Sequence, residues 1–487
     1  MRKVLTPAQM REAEERYMRE TGVSSAEMMQ RAAGEVFSVI EALYGTEKTV
    51  YFACGRGGNG GDGYGCAARY AQAGGIAVAV ETGAPMRQDS RQMREKALEA
   101  GVTITDDWRI LPRPDLWVDA LFGGGLNRAP EGEDAALIGR MNADEAEVLS
   151  VDVPSGLNGA NGAAYADCVA ADVTVTFQRP RTGHYLADGL DFCGDVLTRD
   201  IGIPDDFLPE DAAMLVSYAD VKPRPRRRNS YKGNYGHLLI VAGSRGMAGA
   251  AAICAQAAMR TGAGLTTVAC PESILNIIQT LAPCAMALPL PEENGALSER
   301  AVPELKAVMA GKTCVACGSG LSRRCAPEVV RAVLESELPA VLDADALNLI
   351  SQDTALQALL GPRHIITPHP GEARRLLGRE LTDPISDACA LRRMGPQAVL
   401  KGASSVIAAG NGVYISASGC AGMANGGSGD ALTGMTGAIL AQGVPPETAA
   451  YVASQLHGLA GEAAQEEFGE RGMLATDLVE MITEAVL

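Results

Sequence analysis

Large aromatic side chains are scarce in this sequence of 487 residues, with 7 Phe, 2 Trp and 12 Tyr against 56 Gly. A core built on stacked rings is thereby excluded. Small-residue turns and close helix-on-sheet packing are expected instead, which favours α/β over all-β architecture. Positive charge is in deficit too: 42 Lys and Arg face 59 Asp and Glu, for a net charge of −17. Such a chain repels a phosphate backbone at long range, so no nucleic-acid partner is expected. No uninterrupted apolar run is long enough to span a bilayer, and no membrane partner is expected. Met1 to Pro7 lead into a polar helical pattern instead of a signal peptide's apolar stretch, so the expected location is cytoplasmic. Thr6, Pro7 and Gln9 read as the N-cap, first residue and capping-box partner of that helix.

The five histidines (184, 237, 364, 369 and 457) show no HxxxH or HExxH spacing, and no transition-metal site is predicted from them. Twelve Cys are scattered without a dense, even framework, so reduced and mostly buried thiols are expected. The one CxxC, Cys314-Val315-Ala316-Cys317, reads as a buried strand whose alternation puts the two thiols on opposite faces.

What the chain has is length and apolar content, 47% hydrophobic over 487 residues. That exceeds one ordinary core, and two domains are expected. Val221 to Ser230, VKPRPRRRNS, holds five basic residues and two Pro with no apolar periodicity and reads as an extended, solvated connector. The expected division is a first domain over 1–216, a linker over 217–231 and a second domain over 232–487. In each part, short β-branched runs alternate with longer helical patterns. In the first, 49–54, 76–80, 116–119, 148–152 and 173–177 are strand-like. In the second, 236–241, 265–269, 340–343 and 398–400 are, with a helix over 249–262. Both parts are expected to be α/β, the first a doubly wound parallel sheet. They share no evident repeat, so a fusion of unlike domains is expected.

After the strand ending at Cys54 comes Gly55-Arg56-Gly57-Gly58-Asn59-Gly60-Gly61-Asp62-Gly63. Gly55, Gly57 and Gly60 satisfy G-x-G-x-x-G, a dinucleotide signal that is weak alone. The further glycines are expected to delay the helix and to present Asn59 and Asp62 in a loop. Two more strands end in DALFGGGLNR, from Asp119, and VDVPSGLN, from Val151. Strand ends of a doubly wound sheet meet at one crevice, so Asn59, Asp62, Asp119, Asp152 and Ser155 should converge.

Near the other end, Ala424-Asn425-Gly426-Gly427-Ser428-Gly429-Asp430 opens a helix. Backbone N–H groups of Gly427, Ser428 and Gly429 would form an anion hole, with Asp430 as base toward a hydroxyl. Lys401-Gly402-Ala403-Ser404-Ser405 follows a strand, and a Lys with small hydroxylated residues can grip a phosphate tail. GSGL from Gly318, DADALN from Asp343 and TPHPGE from Thr367 end three more strands. His369, set between two Pro in that company, is expected to contact substrate.

With LTPAQMRE, AEMMQRAAGE, GGDG, DALFGGGLNR and VDVPSGLNG, the first part resembles the NAD(P)H-hydrate epimerase family, a Rossmann-like fold. Gly58 stands where that family usually has an Asn. The resemblance implies that Asn59, Asp119 and Ser155 hold a potassium ion. It implies that Gly58, Asn59, Gly60, Gly61 and Asp62, the loop Gly123, Gly124, Gly125, Leu126, Asn127, Arg128 and Ala129, and Asp152 line the substrate site, with Asp152 catalytic. With YKGNYGH, GSRGMAGA, GSGL, DADALN, TPHPGE, KGASS and NGGSGD, the second part resembles the ribokinase-like ADP/ATP-dependent NAD(P)H-hydrate dehydratases. Tyr231 replaces a usual His there, and Ser319 a usual Pro. This resemblance implies that Ala250, Gly320, His369 and Asp430 contact the hydrated dinucleotide. Lys401, Gly402, Ala403, Ser404, Ser405 and Gly429 would hold ADP or ATP with Mg2+, and Asp430 would be catalytic.

Together they imply a bifunctional isomerase and lyase that repairs NADHX and NADPHX. It would exchange their R and S epimers and dehydrate the S form with ADP, releasing AMP and phosphate. A homo-oligomer is expected. A two-domain Rossmann oxidoreductase, a small-molecule hydroxymethyl or vitamin kinase, and a dinucleotide-sensing scaffold without turnover stay open as alternatives on the motifs alone.

Overall fold

The structure is a computed structural model describing residues 1–486. Its contacts divide the chain into two compact units, one of Lys3–Ala213 and one running from Met214 on and including Met1–Arg2. Among the described residues no helix is long and apolar enough to cross a membrane.

The first unit is built on seven strands in the spatial order Thr103–Thr105, Ile76–Glu81, Thr49–Cys54, Leu116–Ala120, Glu147–Val151, Val173–Phe177 and Asp195–Arg199. Every adjacent pair is parallel. The strand order reverses between Thr49–Cys54 and Leu116–Ala120, the switch point at which doubly wound sheets open a crevice. The central strands are buried on both faces, as continuous β-branched and aromatic runs require in an all-parallel sheet. Helix Pro7–Thr21 starts as the sequence indicates: Gln9 N donates to Thr6 Oγ1 at 3.2 Å, and Thr6 N donates to Gln9 Oε1 at 3.0 Å.

The glycine-rich segment departs from expectation. The helix is not delayed; it spans Gly58–Gln72 with Gly57 at its N-cap, so Asn59 and Asp62 lie in its opening turns. The glycines serve packing. A Cβ on Gly60 would stand 1.9 Å from the Gly55 carbonyl oxygen, and one on Gly63 would stand 2.7 Å from the Ala120 Cβ. Helix and sheet approach more closely than any side chain allows, and that contact outweighs the roughly 1 kcal/mol per residue that Gly costs a helix.

In the second unit the parallel strands run in the order Gln397–Leu400, His364–Ile366, Ala340–Leu342, Cys314–Cys317, His237–Val241, Leu265–Pro271 and Met286–Leu290. Ser405–Ala409 and Gly412–Ser416 extend it antiparallel beyond Gln397–Leu400. Cys314 and Cys317 are buried in their strand, and all twelve Cys are free thiols. Helix Ser428–Ala441 lies on this sheet beside helix Ala248–Thr261. Cβ atoms at Gly434 and Gly437 would stand 2.1 Å from the Cys254 carbonyl oxygen and 2.9 Å from Leu238 Cδ1. This is the small-residue packing anticipated from composition. It seats the start of helix Ser428–Ala441 at the carboxyl edge of the strands.

Candidate functional sites

In the first unit a cavity of about 720 Å3 opens over the switch point. Asp152 reaches it from the end of strand Glu147–Val151, in a left-handed backbone conformation with φ 65°. Such a conformation in a non-Gly residue persists only where surrounding contacts fix it. Here Asp152 N donates to Val175 O at 2.8 Å, and the His184 ring meets Asp152 O at 2.9 Å. Arg181 N donates to His184 Nδ1, so the proton of the neutral ring sits on Nε2 and is donated to Asp152 O. The Asp152 carboxylate pairs with Arg181 Nη2 at 2.8 Å and accepts from Gly124 N at 2.8 Å and Thr176 Oγ1 at 3.3 Å. Burial alone would raise its pKa, but the Arg181 guanidinium and the Gly124 amide outweigh it, and the result lies below the ordinary carboxylate range.

Two other carboxyls line the same cavity with the opposite bias. Burial raises Glu14 above its ordinary value, with Arg181 opposing and Asp152 reinforcing. Asp62 is raised further, by burial and then by the charges of Asp152 and Glu14. The cavity wall also includes Gly58, Asn59 and the loop Gly123, Gly124, Gly125, Leu126, Asn127 and Arg128. Ala129 lies outside that wall, and Gly60 and Gly61 are buried in packing beneath it. Glycine at 123 matters, because a Cβ there would stand 3.0 Å from Asp152 Oδ2 and 3.2 Å from Asn59 Oδ1.

Asp119 and Ser155 are fully buried and directly joined. Ser155 Oγ donates to Asp119 Oδ1 at 2.6 Å and Ser155 N to Oδ2 at 2.8 Å, while Ser150 Oγ and Leu121 N complete the set at 2.8 and 3.2 Å. Phe122 N donates to Ser155 Oγ, tying the glycine loop to this cluster. Burial raises the Asp119 pKa despite those donors, and none of the four is a basic side chain. The Asn59 amide nitrogen is buried without a partner. The carboxylate of Asp119 and the hydroxyl of Ser155 are oxygens of the kind a hard cation takes, and Asn59 stands on the cavity wall with a further amide oxygen.

In the second unit, helix Ser428–Ala441 begins at Gly427, whose φ of 105° suits only glycine. Asp430 lies in the first turn. Burial raises its carboxyl to about 6, opposed by the nearby Ser319 hydroxyl, with Asp343 adding to the rise and Lys401 opposing it. Lys401, at the end of strand Gln397–Leu400, donates to Asp343 Oδ1 at 2.8 Å. A Cβ on Gly429 would stand 3.4 Å from Lys401 Nζ, so the lysine lies against the helix start. Gly402, Ala403 and Ser404 form the bend after it, and Ser405 opens the next strand. Gly320, with φ 59°, packs against Ala250: a Cβ there would stand 2.9 Å from the Ala250 Cβ.

His369 caps helix Pro370–Leu377. Its Nδ1 accepts from Gly371 N at 3.0 Å, while its own N–H donates to Glu372 Oε2 at 3.0 Å. Burial and the nearby Lys401 and Arg375 charges lower the ring's pKa. The capping role is in place, and the ring is also within reach of the Lys401 charge.

Of the five residues expected to converge on one crevice, Asn59, Asp62 and Asp152 line the cavity with the glycine loop, whereas Asp119 and Ser155 are fully buried outside its wall. Sequence reasoning missed Arg181, Thr176 and Glu14 at the cavity, and Asp343 and Thr433 as partners around Lys401. An Arg just beyond a strand end was the available signal for Arg181.

Residues 238–484 match the family described as NAD(P)H-hydrate dehydratase, and residues 25–183 match the one described as YjeF-related protein N-terminus. The bifunctional NAD(P)H-hydrate repair enzyme of Coxiella burnetii is 35% identical over 96% of this chain and 96% of its own length. That of Escherichia coli is 36% identical over 96% of this chain and 90% of its own. A solved Bacillus subtilis ADP/ATP-dependent NAD(P)H-hydrate dehydratase is 27% identical, covering 56% of this chain and 97% of its own, with a TM-score of 0.47. With relatives this similar along nearly its whole length, and with two such sites, the chain belongs to the family of bifunctional NAD(P)H-hydrate repair enzymes.

Proposed function

We propose that the first unit interconverts the R and S epimers of hydrated NADH and NADPH, and that the second dehydrates the S form at the expense of ADP or ATP. The domain order is then an epimerase followed by a dehydratase, with Met214 to Val221 packed in the second unit instead of in the expected first domain and linker, acting in the cytoplasm on small molecules and assembling as a homo-oligomer. The carrying observation is that each unit presents a carboxylate at its sheet's carboxyl edge, one held below the ordinary carboxylate range and one raised to about 6.

In the dehydratase, Asp430 takes the proton of the ring's 6-hydroxyl as that oxygen attacks the terminal phosphorus of the nucleotide. With ADP the leaving group is AMP. Phosphate then departs from carbon 6 with the C–O bonding pair, and loss of a proton from carbon 5 restores the double bond. The N–H groups at the start of helix Ser428–Ala441 and the Lys401 ammonium face the charge that develops on the phosphoryl oxygens. Magnesium bound with the nucleotide supplies further positive charge to the phosphates.

In the epimerase, the hydroxyl leaves as water, its proton drawn from Glu14 or Asp62, the two cavity carboxyls whose pKa values burial raises. The planar ring cation that remains is shielded in the cavity, and water re-adds to either face while Asp152 takes its proton. Arg181 keeps Asp152 ionised for that role. Asn59, Asp119 and Ser155 are the residues that would hold potassium, which when bound offsets the buried charge of Asp119 and steadies the loops around the cavity.

Incubating the chain with hydrated NADH plus ADP, ATP or neither, and following recovery of dihydronicotinamide absorbance, tests the proposal. Recovery with a nucleotide supports it; no recovery under any of the three conditions overturns it.

A further inference from the structure

Asp343 is a buried carboxylate, 2% exposed, that follows strand Ala340–Leu342 and occupies the N-cap of helix Ala344–Gln352. Asp is among the best N-capping residues because its oxygens satisfy free N–H groups of the first turn. Asp343 makes no such bond. Its Oδ1 accepts from Lys401 Nζ at 2.8 Å and its Oδ2 from Thr433 Oγ1 at 2.9 Å. Thr433 lies on helix Ser428–Ala441, one turn beyond Asp430, and its hydroxyl also reaches Gly429 O at 3.0 Å. The backbone is committed to this arrangement. Asp343 N donates to Cys317 O, and Ala344 is held in a left-handed conformation with φ 47°, which a non-Gly residue adopts only under constraint.

We propose that Asp343 is a positioning residue of the dehydration site, which fixes the Lys401 ammonium beside the start of helix Ser428–Ala441 and keeps it from pairing with Asp430. The inference rests on the assignments of Asp430 as base and Lys401 as phosphate grip. Lys401 acts electrostatically on both acids, but only Asp343 is in hydrogen-bond contact with it. A lysine bound to Asp430 would occupy the oxygen that must receive the substrate's proton and would weaken it as a base. With Asp343 as partner, the ammonium stays available to a nucleotide phosphate and Asp430 stays free to titrate.

Asp343→Asn keeps the shape and removes the charge, so the test reads charge and position separately. The groups acting on Asp430 are Asp343 and Asp345 from one connection, Lys401 from another and Ser319 from a third, with Cys254 facing it from helix Ala248–Thr261. Without the Asp343 charge, Asp430 loses a repulsion and gains Lys401 as its nearest counter-charge. Both changes lower its pKa. Dehydration by full-length Asp343→Asn should therefore fall by about 10- to 100-fold at pH 7, in the range set by a base made less effective. The acid limb of its pH–rate profile should move to lower pH, and Asp343→Glu should return the limb to the parental position.

A double-mutant cycle supplies the second arm. In a Lys401→Met background, Asp343→Asn should add no more than about a factor of 3, because partners in one interaction are not additive. The double variant leaves no unpaired charge, so it tests the idea even where the single variant folds poorly. A uniform loss at every pH with the acid limb unmoved, or full additivity in the cycle, overturns the proposal. Failure of the underlying assignment shows elsewhere, as retained dehydration in Asp430→Asn.

Discussion

Asp152 and Asp430 occupy equivalent places, each just beyond a parallel strand or at a helix start on the carboxyl edge of a sheet, and their surroundings drive them in opposite directions. Asp152 has a buried guanidinium at 2.8 Å, and its pKa falls below the ordinary range in spite of burial. Asp430 has no cation in hydrogen-bond contact, because Asp343 holds the nearby lysine, and burial lifts it to about 6. The lesson is that the partner of the neighbouring cation, more than burial, decides what a carboxylate in such a crevice can do. A carboxyl near 6 can take a hydroxyl proton at neutral pH with useful driving force, whereas one held below the ordinary carboxylate range stays ionised at lower pH, ready to face a ring cation and to accept the more acidic proton of water adding to it.

The comparison breaks most sharply at Asp430. Asp430→Asn should reduce nucleotide-dependent dehydration by about 100- to 10,000-fold, the worth of a general base, and leave epimer exchange at the parental rate. Steady-state assays of both reactions on the one variant check it. Near-parental dehydration would remove Asp430 from the mechanism.

Arg181→Met should act on the other side. Loss of the buried partner leaves the Asp152 charge uncompensated and should cost about 3 kcal/mol of stability, read from denaturant midpoints. The Asp152 pKa should rise toward the value burial favours, so the acid limb of epimer exchange should move to higher pH while that of dehydration stays in place. An unmoved exchange limb would show that Arg181 does not set the ionisation of Asp152.

Gly434→Ala probes the packing that aims Asp430. Its Cβ would stand 2.1 Å from the Cys254 carbonyl oxygen, and overpacking of this kind costs about 1–3 kcal/mol. Thermal unfolding should register the loss with dehydration affected more than exchange. The smallest effect is expected at Asp119→Ala, where exchange should slow by about tenfold and lose much of its dependence on potassium, in line with the contribution of groups that orient a metal site. Titrating exchange with KCl against NaCl measures this, and unchanged potassium dependence would place the ion elsewhere.

Much of this architecture is legible in the residue pattern, because strand identity follows from β-branched runs such as Val173 to Phe177 and the first helix start from Thr6, Pro7 and Gln9. Convergence of Asn59, Asp62 and Asp152 follows from the strand ends of a doubly wound sheet. The helix start at Gly58 does not follow from local preference, since glycine disfavours helix and only the close contacts of Gly60 with the Gly55 backbone and of Gly63 with Ala120 and Cys54 of the sheet explain it. The pairings that set the chemistry are also hidden. Arg181 lies 29 residues from Asp152, and Lys401 lies 58 from Asp343. No local pattern announces an ion pair across such separations. An Asp at a helix start reads as a cap, and Asp343 departs from that rule because its carboxylate turns to the lysine.

The most direct test of opposite tuning is the pH dependence of both reactions on the unmutated chain, with spontaneous epimer exchange subtracted. The account predicts that kcat/KM for dehydration falls as pH drops through about 6, where Asp430 takes up a proton, while epimer exchange persists to lower pH because Asp152 remains ionised. Coincident acid limbs, or exchange failing at the higher pH, would contradict it.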